Sequence, residues 1–188
     1  MHRLFAVVLA TGLSACGSMS ATKSSTVSEV SEAAQSAFAN AVAAQRAQHW
    51  DEAEQQFKEL AEKYPQLSGP HLNLALLYAQ TQKPELTEQH FKLALQINPN
   101  NLVIYDQYGI WLRQQARFQE AEAMYQQALA RDANRAETHL NMAILYDLYM
   151  GKLPQALEHY QRYLALTDDE KSPVHGWVAE LQRRMKAG

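Results

Sequence analysis

Several things are scarce in this 188-residue chain, and each scarcity removes a class of function. With one cysteine there is no internal disulfide framework and no multi-cysteine metal site. Net charge is −3 with both signs interspersed, so no basic footprint suits a nucleic acid. The patterns HExxH, GxSxG, GxGxxG and the phosphate-binding P-loop do not occur, which argues against an enzyme and against a nucleotide, cofactor or small-molecule substrate. The apolar run at residues 4–10 falls short of the roughly 20 residues that cross a bilayer. What remains is a chain that is 47% apolar, enough for the continuous core of one elongated domain.

The positive signal is a period. Read as a 34-residue unit, residues 68–101 place Leu74, Ala75 and Tyr78 at positions seven, eight and eleven. Phe91, Ala94 and Pro99 fall at positions twenty-four, twenty-seven and thirty-two. One step back, Pro65, Phe57 and Ala41 match Pro99, Phe91 and Ala75; one step forward, Gly109, Tyr125 and Ala128 match Ala75, Phe91 and Ala94. A double step lays His71-Leu72-Asn73-Leu74-Ala75 on His139-Leu140-Asn141-Met142-Ala143. A fixed period with a small residue at eight and an aromatic at twenty-four resembles the tetratricopeptide repeat. The resemblance implies an all-α fold, an α-solenoid of four helical hairpins (residues 34–67, 68–101, 102–135 and 136–170, within an array of 32–171). Small residues let the two helices of a hairpin close, and neighbouring hairpins must stack because neither helix can bury its stripe alone. Thr87 stands where the family prefers alanine, Ala133 replaces a proline, and the fourth unit has one extra residue, placed in its turn at 149–152. The first helix of unit one, with Ala37, Asn40, Ala41 and Ala44, lacks the usual large residues.

Residues 1–16 read as a signal segment: Arg3 supplies the positive end, and Leu13-Ser14-Ala15-Cys16 resembles the bacterial lipoprotein box. That resemblance implies acylation of Cys16, and Gly17 in place of aspartate favours a Gram-negative outer membrane with the chain facing the periplasm. Residues 17–31, rich in Ser, Thr and Ala, are expected to be a flexible tether. Residues 172–188 break the period. Val174, Trp177, Val178, Leu181 and Met185 recur at helical spacing and predict an amphipathic capping helix with these residues, Trp177 among them, on its apolar face.

Seven histidines raise the question of a metal. His71 and His139, two repeats apart, lie on the order of 20 Å from one another when helices pack about 8–10 Å apart. A shared ion requires about 2 Å to each nitrogen. His90 and His159 are separated in the same way, so no metal site is expected.

The candidate site is the groove lined by the first helices. Position six reads Asn73, Gln107, Asn141, a row of carboxamides able to donate to and accept from a peptide backbone. Beside it Leu72, Leu76, Ile110, Leu140 and Ile144 form an apolar line, extended by Phe38 and Val42. Solvated polar positions and burial between neighbouring first helices are the competing explanations. Arg113 and Asp147 at position twelve add one charge of each sign. The resemblance implies a scaffold for protein segments of the cell envelope, held to the membrane by its lipid; lipoproteins of this layout include those assisting type IV pilus and secretin assembly. Adaptors for peptidoglycan enzymes or for a TonB/ExbB-type energy-transducing complex, and accessory subunits of surface-polysaccharide enzymes, share the layout. Neither the partner nor the oligomeric state is legible.

Overall fold

A computed structural model describes residues 32–187. The expected signal segment, Cys16 and the expected tether lie outside them. The described residues fold as α1 (Glu32–Arg46), α2 (Trp50–Lys63), α3 (Ser68–Gln80), α4 (Pro84–Ile97), α5 (Leu102–Gln114), α6 (Phe118–Arg131), α7 (Ala136–Leu145), a π-helical turn (Tyr146–Met150), α8 (Leu153–Thr167) and α9 (Val174–Ala187). Consecutive helices pair as four hairpins, each hairpin stacks on the next, and α9 packs on α8. The all-α solenoid with a terminal helix follows the sequence period.

The small and aromatic positions form the centre of every hairpin. Ala75, Gly109 and Ala143 are buried opposite Phe91, Tyr125 and Tyr160, which are almost wholly buried as well. At Gly109 the approach is closest: a Cβ there would stand 2.4 Å from Cε1 of Tyr125, inside contact distance. Thr87, where alanine is usual, is fully buried, and its hydroxyl donates to the Lys83 carbonyl 3.0 Å away, so its polar atom is satisfied. The core runs as two clusters. One joins Phe57, Leu60, Leu74, Leu77 and Tyr78, and the other runs from Phe91 through Tyr125 and Tyr160 to Leu181 of α9.

Within each hairpin the turn repeats. Gln48, Gln82, Ala116 and Gly151 all adopt left-handed backbone, and the next amide but zero reaches back to a helix carbonyl: His49 to Ala44, Lys83 to Tyr78, Arg117 to Leu112, Lys152 to Tyr146. The first three bonds span five residues and the last spans six. Here the expectation for unit four is corrected. The extra residue does not lengthen the turn; the turn keeps its left-handed residue and its backbone bond, and the surplus is absorbed upstream as a π-helical turn.

Stacking has a polar edge that the apolar period did not reveal. Glu54, Glu88 and Glu122, one per second helix, reach the cation opening the next second helix: Lys83 at 3.2 Å, Arg117, and Lys152 at 3.0 Å. Tyr78 and Tyr146 donate to Glu54 and Glu122 at 2.9 and 2.7 Å. The cap also departs from expectation. Val174 and Leu181 are buried, whereas Trp177 is 42% exposed and lies edge-on to Tyr160 at 5.9 Å. α9 covers unit four with its Val174–Leu181 stripe, and Trp177 falls at the margin of that stripe.

Candidate protein-binding site

The first helices α3, α5 and α7 adjoin one another, and their contact decides how the apolar line is used. Leu72 is buried in the main cluster, while Leu76, Leu140 and Ile144 are half-buried against it. Ile110 is half-buried, and Phe38 and Val42 pack against the first cluster. The expectation that this line is spare is therefore corrected for Leu72, which is core because neighbouring first helices close over it. Leu76, Ile110, Leu140 and Ile144 keep part of their surface for something else.

The carboxamides differ among themselves. Asn73 donates its amide to the Gly69 carbonyl at 3.0 Å, one turn back in its own helix, which leaves its oxygen free. Gln107 and Asn141 are half-buried, and neither side chain is engaged in a hydrogen bond. Asp147, by contrast, is fully engaged, accepting from the Tyr160 hydroxyl at 3.3 Å and from Arg184 of α9. Arg113 is the opposite case. Its Nη1 is buried with no acceptor, and the guanidinium lies 5.7 Å from the centre of the Tyr149 ring.

Histidines that fail to meet between units do meet within them. Nδ1 of His71 is 3.0 Å from Nδ1 of His90, and His139 repeats the contact with His159 at 2.9 Å. Ring centroids stand 5.2 and 5.1 Å apart, so the nitrogens face each other nearly head-on, as an N–H···N bond requires. In the second pair the tautomer follows. Nε2 of His139 is 3.0 Å from the Ala133 carbonyl, which only accepts, so that nitrogen carries the proton. Nδ1 of His139 then accepts from Nδ1–H of His159. Burial and the neighbouring imidazole push His90 down to about 4, and the same two causes lower His159. Among the described residues no group of three or more His, Cys, Asp or Glu side chains could hold a metal. The signal for these pairs was present in the sequence, because a separation of 19 residues, or 20 across the extra residue of unit four, joins the facing sides of the two helices in one hairpin.

Sequence reasoning also passed over the far end of the groove. A pocket of about 410 Å³ opens there between the π-helical turn, α8 and α9, lined by Ile144, Leu148, Tyr160 and Trp177 with Asp147, Glu180 and Arg184 at its rim. Leu148 is 64% exposed, and Tyr149 beside it is 47% exposed. Among the described residues no helix is long and apolar enough to cross a membrane.

Residues 66–134 match the family model of the tetratricopeptide repeat. The type IV pilus assembly protein PilF of Pseudomonas aeruginosa is 26% identical over 113 residues, 57% of this chain and 43% of that one. The peroxisomal targeting signal receptor of Kluyveromyces lactis is 26% identical over 125 residues, 66% of this chain and 22% of the receptor. This chain thus spans less than half the length of either curated relative. A solved structure of Pseudomonas aeruginosa pilF has the same fold, with a TM-score of 0.73 at 22% identity over 83% of this chain and 70% of that one. Tetratricopeptide-repeat domains bind protein partners, and the unspent surface found here lies on the helices that line the groove. The family match covers the two central units and the same hairpin geometry continues on either side, so residues 66–134 carry tetratricopeptide repeats within a fold shared with the pilF structure.

Proposed function

We propose that the chain is a non-enzymatic scaffold that holds a protein segment along its first helices while a cell-envelope machine is assembled, and that this machine is a type IV pilus with its secretin. The observation that carries the groove reading is the row of side chains left with capacity: the amides of Gln107 and Asn141 beside the half-buried Leu76, Ile110 and Ile144. The likeness to PilF supports the choice of machine. The lipoprotein-like Leu13-Ser14-Ala15-Cys16 supports attachment to the outer membrane by acylated Cys16, with the repeats in the periplasm. Several acyl chains on one cysteine give stable anchoring, since a single chain is marginal.

The groove is tested by co-purifying the type IV pilus secretin with the full-length chain from solubilised envelopes. Wild type should retain it. The double variant Gln107→Ala/Asn141→Ala should weaken retention about tenfold or more, from two lost hydrogen bonds of roughly 0.5–1.5 kcal/mol each. Leu76→Glu should abolish it while circular dichroism stays helical. Absence of the secretin from the wild-type eluate would sink the pilus assignment, and indifference to all three substitutions would sink the groove. The anchor is tested separately: Cys16→Ser should end labelling by a palmitate analogue and release the chain from membranes, and equal labelling of variant and wild type rejects it.

A further inference from the structure

The extra residue of unit four has a consequence beyond its own turn. By forcing a π-helical turn at Tyr146–Met150, it carries Leu148 and Tyr149 outward, where the corresponding stretches of α3 and α5 are regular helix. π-helical insertions commonly mark functional sites because they re-aim side chains at the expense of regular hydrogen bonding. Leu148 then forms part of the wall of the 410 Å³ pocket, as does Trp177 of the cap, and Ile144 and Tyr160 line it as well. Both wall residues are large, apolar and exposed, and each is more exposed than any buried-face role requires.

Electrostatics at the same place are one-sided. The acids at the rim are neutralised by the cap itself, Asp147 by Arg184 and Glu180 by Arg183. Arg113 has no such partner. Its buried Nη1 lacks an acceptor, and its guanidinium, stacked on Tyr149, is near enough to Tyr160 to oppose the rise that burial imposes on that phenol. A cation without a carboxylate therefore stands next to an apolar pocket.

We infer that this end of the groove is a two-point recognition site for an extended peptide segment of a partner, in which a large apolar side chain fills the pocket and a side-chain carboxylate binds Arg113. The inference rests on the reading of the groove as protein-binding and narrows its ligand. Arg113 belongs to the unit before the pocket, and packed helices lie roughly 8–10 Å apart. An extended strand rises about 3.3 Å per residue, so the two side chains are separated by about three residues.

The probes are acetylated and amidated fluorescent peptides of Gly and Ser, each holding one Leu, Phe or Trp and one Asp at separations of one to five residues. Their binding to the full-length chain is read by anisotropy. Affinity should peak at a separation near three and fall about tenfold or more when Asp becomes Asn or when Arg113 becomes Gln, since a charge-assisted bond is lost. Arg113→Glu should turn the preference toward Lys in place of Asp, which general destabilisation cannot do. Leu148→Ser, at an exposed position, should remove binding of every apolar probe with helicity unchanged. No binding by any probe overturns the proposal, as does binding that ignores Asp or Arg113. If Leu148→Ser instead dissolves a dimer of the chain, the face belongs to a second copy and the proposal falls. Secretin retention that responds to Leu76→Glu but not to Arg113→Gln or Leu148→Ser leaves the groove reading intact and removes only this one.

Discussion

At position four of the repeat, units two and four carry His71 and His139, and unit three carries Tyr105. At position five the same units read Leu72 and Leu140 against Asp106, and at position eight Ala75 and Ala143 against Gly109. In the even units the two helices of a hairpin are tied across their interior by an imidazole pair, flanked by Tyr78 or Tyr146 at ring distances of 5.3 and 5.6 Å. In unit three the polar tie points outward to the next unit. Asp106, 3% exposed, accepts from Arg135 and from the Thr138 hydroxyl, both at 2.7 Å. Tyr105 donates to the Pro99 carbonyl and lies under Arg131. The backbone thus repeats every 34 residues while the polar chemistry repeats every 68. Apolar packing is satisfied by any residues of suitable volume, so it leaves the polar positions free to take either of two arrangements, provided every buried donor and acceptor is met.

The comparison breaks most severely at the junction of units three and four. Arg135→Ala should leave Asp106 as a buried carboxylate held only by Thr138, at a cost of about 3 kcal/mol. Asp106→Leu, which writes the residue of both neighbours into unit three, removes the buried charge and should cost far less, because a buried ion pair replaced by a packed apolar residue is often neutral. Thermal unfolding of the two variants separates these outcomes. Equal losses would mean that Asp106 acts through its volume and not through its charge.

The fold was legible because it depends on side-chain size at fixed spacing, which a sequence displays directly. Gly109 opposite Tyr125 and Ala75 opposite Phe91 are visible as letters 16 apart, and the four hairpins follow. The polar detail was less legible, for identifiable reasons. Leu72 and Ile144 carry the same kind of side chain, yet one is core and the other faces the groove, and only the closeness of adjacent first helices separates them. Asn73 and Asn141 are the same letter at the same position, and a bond from Asn73 to Gly69 distinguishes them. The pocket beside Leu148 depends on where an inserted residue is absorbed, and the sequence shows only that one is present.

The finest test of the contrast between even and odd units is pH. Burial, as the first cause, favours the neutral imidazole in His71, His90 and His159, with His90 at about 4 against an ordinary 6.5. Lys58 lowers His90 further and Glu54 opposes it; Glu158 opposes the shift of His159. Because the folded values are depressed, the unfolded chain takes up protons first as pH falls. The contribution of the pairs is therefore complete above about 6.5 and is lost between 6.5 and about 4. It is smaller than the roughly 1.4 kcal/mol per pKa unit of a fully buried group, since these rings are half-exposed. The carboxylates titrate in a different window. Lys58 holds Glu54, and Arg117 holds Glu88, at about 2, so their contribution persists until pH falls below the ordinary 4.5. Unfolding midpoints measured from pH 7.5 to 4.5 should therefore decline by a few degrees in the wild type, at about 2–4 °C per kcal/mol for a domain of this size. His90→Gln with His159→Gln should flatten that decline, because glutamine can hydrogen-bond His71 and His139 without titrating. Met124→His, which places an imidazole at the corresponding position of unit three opposite Tyr105 rather than a histidine, should leave the slope near that of the wild type. A slope unchanged by the double substitution would mean that the imidazole pairs keep their protons alike in both states, and the 68-residue period would then have no consequence for stability.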